Sequence, residues 1–280
     1  MIRSKASNPR WNEPMKTTRT PSRDAIIQAI VGALEPLDYV YAMWEGGAAA
    51  FGRLDEWSDI DICVDAEDRR VKDTFPVVEQ ALESLSPIEL KYEILEPTLG
   101  DYVQAFYRLK GTSEFMLIDF AVFKHSAPDK LLVPEIHGEA VFHFNKEGAL
   151  KCPSLDREKL MSKLKARVKR IQERLQTFRC FIPKELNRGN QIEALNLYYR
   201  FILGSLVEVL RMTHKPARHD FGTRYVRHDL PAEVVARLRE LYFVKDRADL
   251  ETKYRIAEAW LDEVIGQIDF GRIERAMKNS

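Results

Sequence analysis

The stretch Trp44–Val64, WEGGAAAFGRLDEWSDIDICV, gathers residue types that bind phosphates and hard metal ions. Gly46-Gly47 ends an apolar run, DYVYAMW from Asp38, that predicts a buried strand. Two glycines after a strand let backbone approach a phosphate without Cβ obstruction. The small residues Ala48–Ala50 can open a helix whose N–H groups face an anion. After eleven intervening residues come Asp59-Ile60-Asp61-Ile62, entering a second strand. Carboxylates at i and i+2 of a strand project from one face and repel each other unless a cation sits between them. Such oxygen ligands suit Mg²⁺, which is held through a few carboxylates and substrate phosphates. Paired ions about 3.5–4 Å apart can clamp both oxygens of an in-line phosphoryl displacement. Arg53, between the glycines and the acids, could pair with β- and γ-phosphates or with Asp55 or Glu56. Ser58 is a candidate hydroxyl for a phosphate contact. Trp44 and Trp57 flank the segment; either could stack on a base, Trp44 being the better core residue.

This segment resembles the signature of the DNA polymerase β-like nucleotidyltransferases: hydrophobic-Gly-Gly/Ser, a spacer of about a dozen residues, then acid-hydrophobic-acid-hydrophobic. The resemblance covers Asp38 to Phe123. It implies an α/β nucleotidyltransferase domain with a mixed sheet. The helical remainder looks like the bundle of small-molecule nucleotidyltransferases, such as the aminoglycoside-modifying enzymes. Many members have Gly-Ser where this chain has Gly46-Gly47, so the phosphate contact is expected from backbone alone. The family's third carboxylate matches Asp119, an acid inside the apolar run FMLIDFAVF, where an unpaired charge would be costly. Asp59, Asp61 and Asp119 are thus the expected metal ligands. Either Asp119 or Glu93 is the expected general base. The implied reaction moves a nucleoside monophosphate from an NTP, ATP first among them, to a hydroxyl and releases pyrophosphate. The implied cofactor is Mg²⁺, as two ions, or Mn²⁺ in its place.

The elements that must position these residues read as follows. Residues 1–21 are polar, basic and Pro-containing, an expected flexible arm. Residues 22–147 interleave helices and strands. Ser22 caps a helix carrying Ile26, Ile27, Ile30, Val31 and Leu34. A helix is expected over 68–85. Ile88–Ile94 alternates, with Ile88, Leu90, Tyr92 and Ile94 on one face and Glu89, Lys91 and Glu93 on the other. A short helix is expected at Tyr102–Leu109, a strand at Phe115–Phe123, and an edge strand at Ala140–Phe144. From 151 to 280 the periodicity is helical, predicting four to five helices in an all-α bundle. The ligand site is expected at the junction of the two domains. In the bundle, Lys215 and Arg218 lie in a polar, Pro-broken loop and are candidates to meet the triphosphate, a surface loop being the alternative. His214, His219 and His228 show no metal spacing, His137-Gly138 reads as a turn, and Tyr198-Tyr199 as core.

With 43 Lys+Arg against 43 Asp+Glu, the chain has no bulk charge for coating nucleic acid. Residues 151–190 are locally basic, twelve Lys/Arg against four Asp/Glu, which reads as a solvated helix face or a wall beside an anion. No apolar run approaches the ~20 residues that span a bilayer. Three cysteines without a CxxC pair argue against a disulfide scaffold and for a reducing, cytoplasmic setting. The expected partners are a nucleotide and a small-molecule acceptor, the family-level guess being an aminoglycoside or lincosamide-like antibiotic. Glu89 and Glu93 would supply an acidic pocket for a cationic acceptor. The oligomeric expectation is a monomer or homodimer. Two other classes stay open: a nucleic-acid end-modifying transferase, and a non-catalytic regulatory or antitoxin module on the same fold.

Overall fold

The computed structural model describes residues 20–94 and 102–278. The expected N-terminal arm lies outside these, except for its last two residues. The chain divides into two compact units. The first comprises the residues up to Leu132 with His137–Cys152, and the second Val133–Ile136 with the residues from Pro153 on.

The first unit is a six-stranded mixed sheet with helices. Its strands are β1 (Val40–Glu45), β2 (Ile60–Ala66), β3 (Ile88–Ile94), β4 (Tyr102–Leu109), β5 (Ile118–Lys124) and β6 (Val141–Asn145). They lie in the order β3-β4-β5-β2-β1-β6. β2 and β5 run parallel, and the other pairs are antiparallel. Helix α1 (Arg23–Leu34) starts at Ser22, whose hydroxyl accepts the Ala25 N–H at 3.2 Å. α1 and α3 (Thr74–Leu85) bury their apolar faces on one side of the sheet, against Ile60, Ile62, Val64, Ala105, Tyr107, Ile118 and Phe120. The opposite face carries a smaller apolar cluster of Ala42, Trp44, Ala121, Phe123 and Leu132. By strand parity, Asp61, Cys63 and Asp65 share this second face with Asp119.

One expectation is corrected here, and one strand face is settled. Tyr102–Leu109 is strand β4, not a helix. Val103, Ala105, Tyr107 and Leu109 alternate into the core, and the backbone pairs with both β3 and β5. β3 does not turn its apolar side inward. It is an edge strand on which Leu90 and Tyr92 are exposed, while Lys91 reaches Glu79 of α3 at 2.8 Å.

The second unit is all-helical. Besides the single turn α4 (Pro134–His137), most of which belongs to it, it holds α5 (Arg157–Phe178), α6 (Phe181–Asn187), α7 (Gln191–Leu197), α8 (Gly204–His214), α9 (Val226–Asp229), α10 (Ala232–Tyr242), α11 (Arg247–Gly266) and α12 (Phe270–Lys278). A π-helical stretch, Tyr198–Leu203, joins α7 to α8 in one rod. Tyr198, Ile202, Leu206, Val209 and Leu210 of this rod are buried among Leu164, Val168, Ile171, Leu241 and Leu261. Asp156 and Asp246 cap α5 and α11 through the N–H groups of Lys159 and Asp249. Pro231 immediately precedes α10. The short helices α6, α9 and α12 add to the expected set, because each is too brief to display a periodic stripe.

Candidate active site

Register brings two of the expected acids together. β2 and β5 pair in parallel with Asp61 opposite Asp119. Asp59 stands one residue before β2, and its carboxyl shares a hydrogen bond with that of Asp61. The backbone around the glycines closes over this pair. The Gly46 N–H donates to the Asp61 carbonyl at 3.0 Å. Gly47 has φ +50°, and a Cβ built on it would fall 1.7 Å from Asp61 Oδ2. Glycine is therefore required twice here, by conformation and by space. A Gly-Ser pair in this backbone would place its side chain on the Asp61 carboxylate, which accounts for Gly47.

A Gly47→Ala substitution should displace Asp61 while costing about 1–2 kcal/mol for the left-handed backbone alone. The expected readout is loss of nucleotide binding out of proportion to a modest fall in thermal stability.

The expectation that both glycines offer N–H groups to phosphate is narrowed. The Gly46 N–H is committed to the sheet, which leaves Gly47 and the residues after it. α2 (Gly47–Ala50) is a single turn, so its dipole adds little.

The electrostatics are those of a crowded acidic site. Burial and the charges of Asp59 and Asp119 push the Asp61 carboxyl up to about 7. Burial and Asp59 raise Asp119 to about 6, against a lowering hydrogen bond from Gln104. Burial and the charges of Asp119 and Asp61 push the Cys63 thiol up as well. Asp65, further along the same face, is engaged within the protein, by Lys130 at 3.0 Å and by His125 Nδ1 at 2.7 Å. The cation that lowers Asp61 is Arg23, and its guanidinium is already held by Glu45 and by the Asp59 carbonyl. Among the described residues, no three His, Cys, Asp or Glu side chains stand in a ready-made metal-binding cluster. The aspartates form an open, half-buried set. That suits an ion completed by substrate oxygens rather than one enclosed by the protein.

Three residues support the site that the sequence reading did not find. Gln104 donates to Asp119 Oδ1. Glu45, buried at the end of β1, binds Arg23 and lies 3.0 Å from His143 Nε2. Arg23 thereby pins the Asp59 carbonyl. An acid ending an apolar strand at Glu45 was the available signal. Gln104 had none once its segment was read as helical.

The other candidates have the following surroundings. Glu93 opposes Ala105, which in turn opposes Phe120, so it lies on the helix-covered face, away from Asp119. It pairs with Lys91 at 2.9 Å. Glu89 lies against Arg108 at 3.3 Å. Neither the Glu93 base nor the Glu89–Glu93 acceptor pocket survives, because the strand period of two sends Glu93 to the other side. Glu93→Gln should leave any transfer activity within about twofold, since exposed pairs contribute roughly 0–1 kcal/mol. Ser58 donates to Asp55 Oδ1 at 2.8 Å and accepts the Asp55 N–H at 2.9 Å, which makes it a turn residue. Arg53 stacks its guanidinium over Phe51, 5.1 Å from the ring centre. Lys215 and Arg218 belong to the second unit. There Arg218 is buried, binds Asp229 at 2.9 Å and donates to the Glu135 carbonyl at 3.2 Å, so it holds the bundle together instead of waiting for phosphate. Trp44 is core, packed against Phe123 and Phe142. Tyr198 is core too, donating to the Leu241 carbonyl.

No family model and no curated protein matches the sequence. Among solved structures, the crystal structure of an aminoglycoside 6-adenyltransferase from Bacillus subtilis aligns over 91% of this chain and 95% of that chain, with 11% identity and a TM-score of 0.30. At that score the likeness carries no argument. Among the described residues, no helix is long and apolar enough to cross a membrane, and Cys63, Cys152 and Cys180 are free thiols.

Proposed function

We propose that this protein is a Mg²⁺-dependent nucleotidyltransferase that moves a nucleoside monophosphate from an NTP to a hydroxyl of a small molecule. The observation that carries the reading is the Asp61–Asp119 register pair, with Asp59 beside it and Gly47 packed against it. Burial and mutual repulsion raise the carboxyls of Asp61 and Asp119, and perturbed acids of this kind cluster at functional sites. Asp59, Asp61 and Asp119 would hold Mg²⁺. Once bound, the ion would neutralise phosphate charge and the developing charge of the displacement.

The chain's own residues then have definite tasks. Gly47 and the amides after it face the triphosphate. Asp119, oriented by Gln104, takes the proton of the acceptor hydroxyl. The acceptor oxygen bonds to the α-phosphorus, the bond from α-phosphorus to the bridging oxygen breaks, and pyrophosphate leaves with that electron pair. Positioning and charge neutralisation supply most of the catalysis, as in phosphoryl transfer generally.

A small acceptor is favoured over nucleic acid by the balanced charge and by the fate of the basic segment. Lys163 pairs with Asp220, Arg167 with Glu208, Arg179 with Asp262, and Arg188 with Glu185. Three of these acids, Asp220, Glu208 and Asp262, lie outside the segment and offset part of its local excess. The acceptor class is tested by screening hydroxylated cationic antibiotics for pyrophosphate release with each NTP and Mg²⁺. Release with none of them, but with an RNA or DNA end in a salt-sensitive manner, would move the assignment to nucleic-acid end modification.

A further inference from the structure

Trp57 is 59% exposed, and Phe115 is 45% exposed. Their rings meet edge to face, 4.9 Å between centroids at 82°. A T-shaped contact covers at most one face of the indole, so the other stays open. The turn that presents Trp57 is locked. Asp55 Oδ1 accepts the Trp57 N–H at 3.1 Å and the Ser58 hydroxyl at 2.8 Å, and Ser58 N–H returns to the Asp55 carbonyl at 3.2 Å. A large apolar ring held in the open on a rigid turn is pre-organised for a flat ligand, because little freedom remains to be lost on contact.

The position is equally specific. Trp57 lies two residues before Asp59, a reach of at most about 7 Å along the chain. Phe115 leads into β5, and the Leu117 carbonyl accepts the Ile60 N–H at 2.8 Å, so both rings sit on the approaches to β2 and β5. We infer that the Trp57–Phe115 pair is the platform on which the nucleobase of the NTP stacks, the triphosphate lying toward Asp59 and Asp61. This inference rests on the nucleotidyltransferase reading. Stacking is sequence-tolerant, since every base has a π-face, so the platform sets affinity for nucleotides as a class more than choice among them.

The test separates base from phosphate. Wild type, Trp57→Ala, Trp57→Phe and Phe115→Ala are titrated calorimetrically with ATP·Mg²⁺ and with tripolyphosphate·Mg²⁺, and each variant's thermal unfolding is checked. Trp57→Ala should weaken ATP about tenfold or more and leave tripolyphosphate unchanged, with Trp57→Phe recovering most of the loss. ATP binding unchanged in Trp57→Ala would overturn the inference and leave the carboxylate site standing. Equal weakening of both ligands in a normally folded variant would also overturn it, by showing that the turn serves Asp59 alone. Wild type that binds neither ligand would fail the nucleotidyltransferase reading itself.

Discussion

An Asp61→Asn protein is expected to unfold at a higher temperature than wild type and to bind NTP·Mg²⁺ far more weakly. The two effects have one cause. Asp61 is pushed up to about 7 and Asp119 to about 6 from an ordinary 3.8, chiefly by burial and, for Asp61, by the neighbouring acids. The native state therefore holds these protons more tightly than the unfolded chain. Stability from this source is complete below about pH 3.8 and is lost as pH rises through about 6 and 7. Removing the charge at 61 should flatten that fall. Because the site is only partly buried, the gain at pH 8 is about 1–2 kcal/mol, or ~2–8 °C in the first unit's transition. Loss of a ligand that touches the metal should lower affinity for NTP·Mg²⁺ by two orders of magnitude or more, since the remaining acids leave the ion's charge poorly matched. Differential scanning calorimetry from pH 4 to 9, with and without Mg²⁺, reads both effects. A variant less stable than wild type at pH 8 would contradict the electrostatic account.

Asp229→Asn should be the most damaging conservative change in the second unit. Arg211 and Asp229 have fully buried side chains and pair at 2.9 Å, and Arg218 binds the other Asp229 oxygen at 2.9 Å. Arg211 also donates to the carbonyls of Gly222, Arg218 and Arg224. One carboxylate thus balances two guanidiniums and ties α8 to α9 through the intervening loop. Neutralising it leaves two charges out of water, which costs about 3–5 kcal/mol for a broken buried pair. The transition in which the second unit unfolds should fall by about 10 °C or more. A change of under 2 °C would mean that water reaches the cluster.

How far the sequence revealed this arrangement depended on whether chemistry or context set each residue. Gly46-Gly47 and Asp59-Ile60-Asp61 were legible because the residue types at that spacing have few other uses. Asp119 was legible because an acid inside FMLIDFAVF is conspicuous. Tyr102–Leu109 was misread because Tyr102, Phe106 and Leu109 also fall at helical spacing. The true period of two is set by pairing with β3 and β5, which no local pattern announces. Gln104 was lost with it. Glu93 went astray because an edge strand need not turn its apolar side inward when Glu79 offers Lys91 a partner. Arg218 read as ligand-ready because its counter-charge, Asp229, lies eleven residues on in a segment with no signal of its own.

The central claim is that the three aspartates bind a nucleotide through a divalent cation. Calorimetric titration of wild type and of the Asp59→Asn/Asp61→Asn double variant with ATP, GTP, CTP and UTP, with and without Mg²⁺, tests it most directly. Wild type should bind at least one NTP only with Mg²⁺, and that binding should vanish in a variant that remains folded. Folded wild type that binds no NTP, or a variant that binds as wild type does, would contradict it.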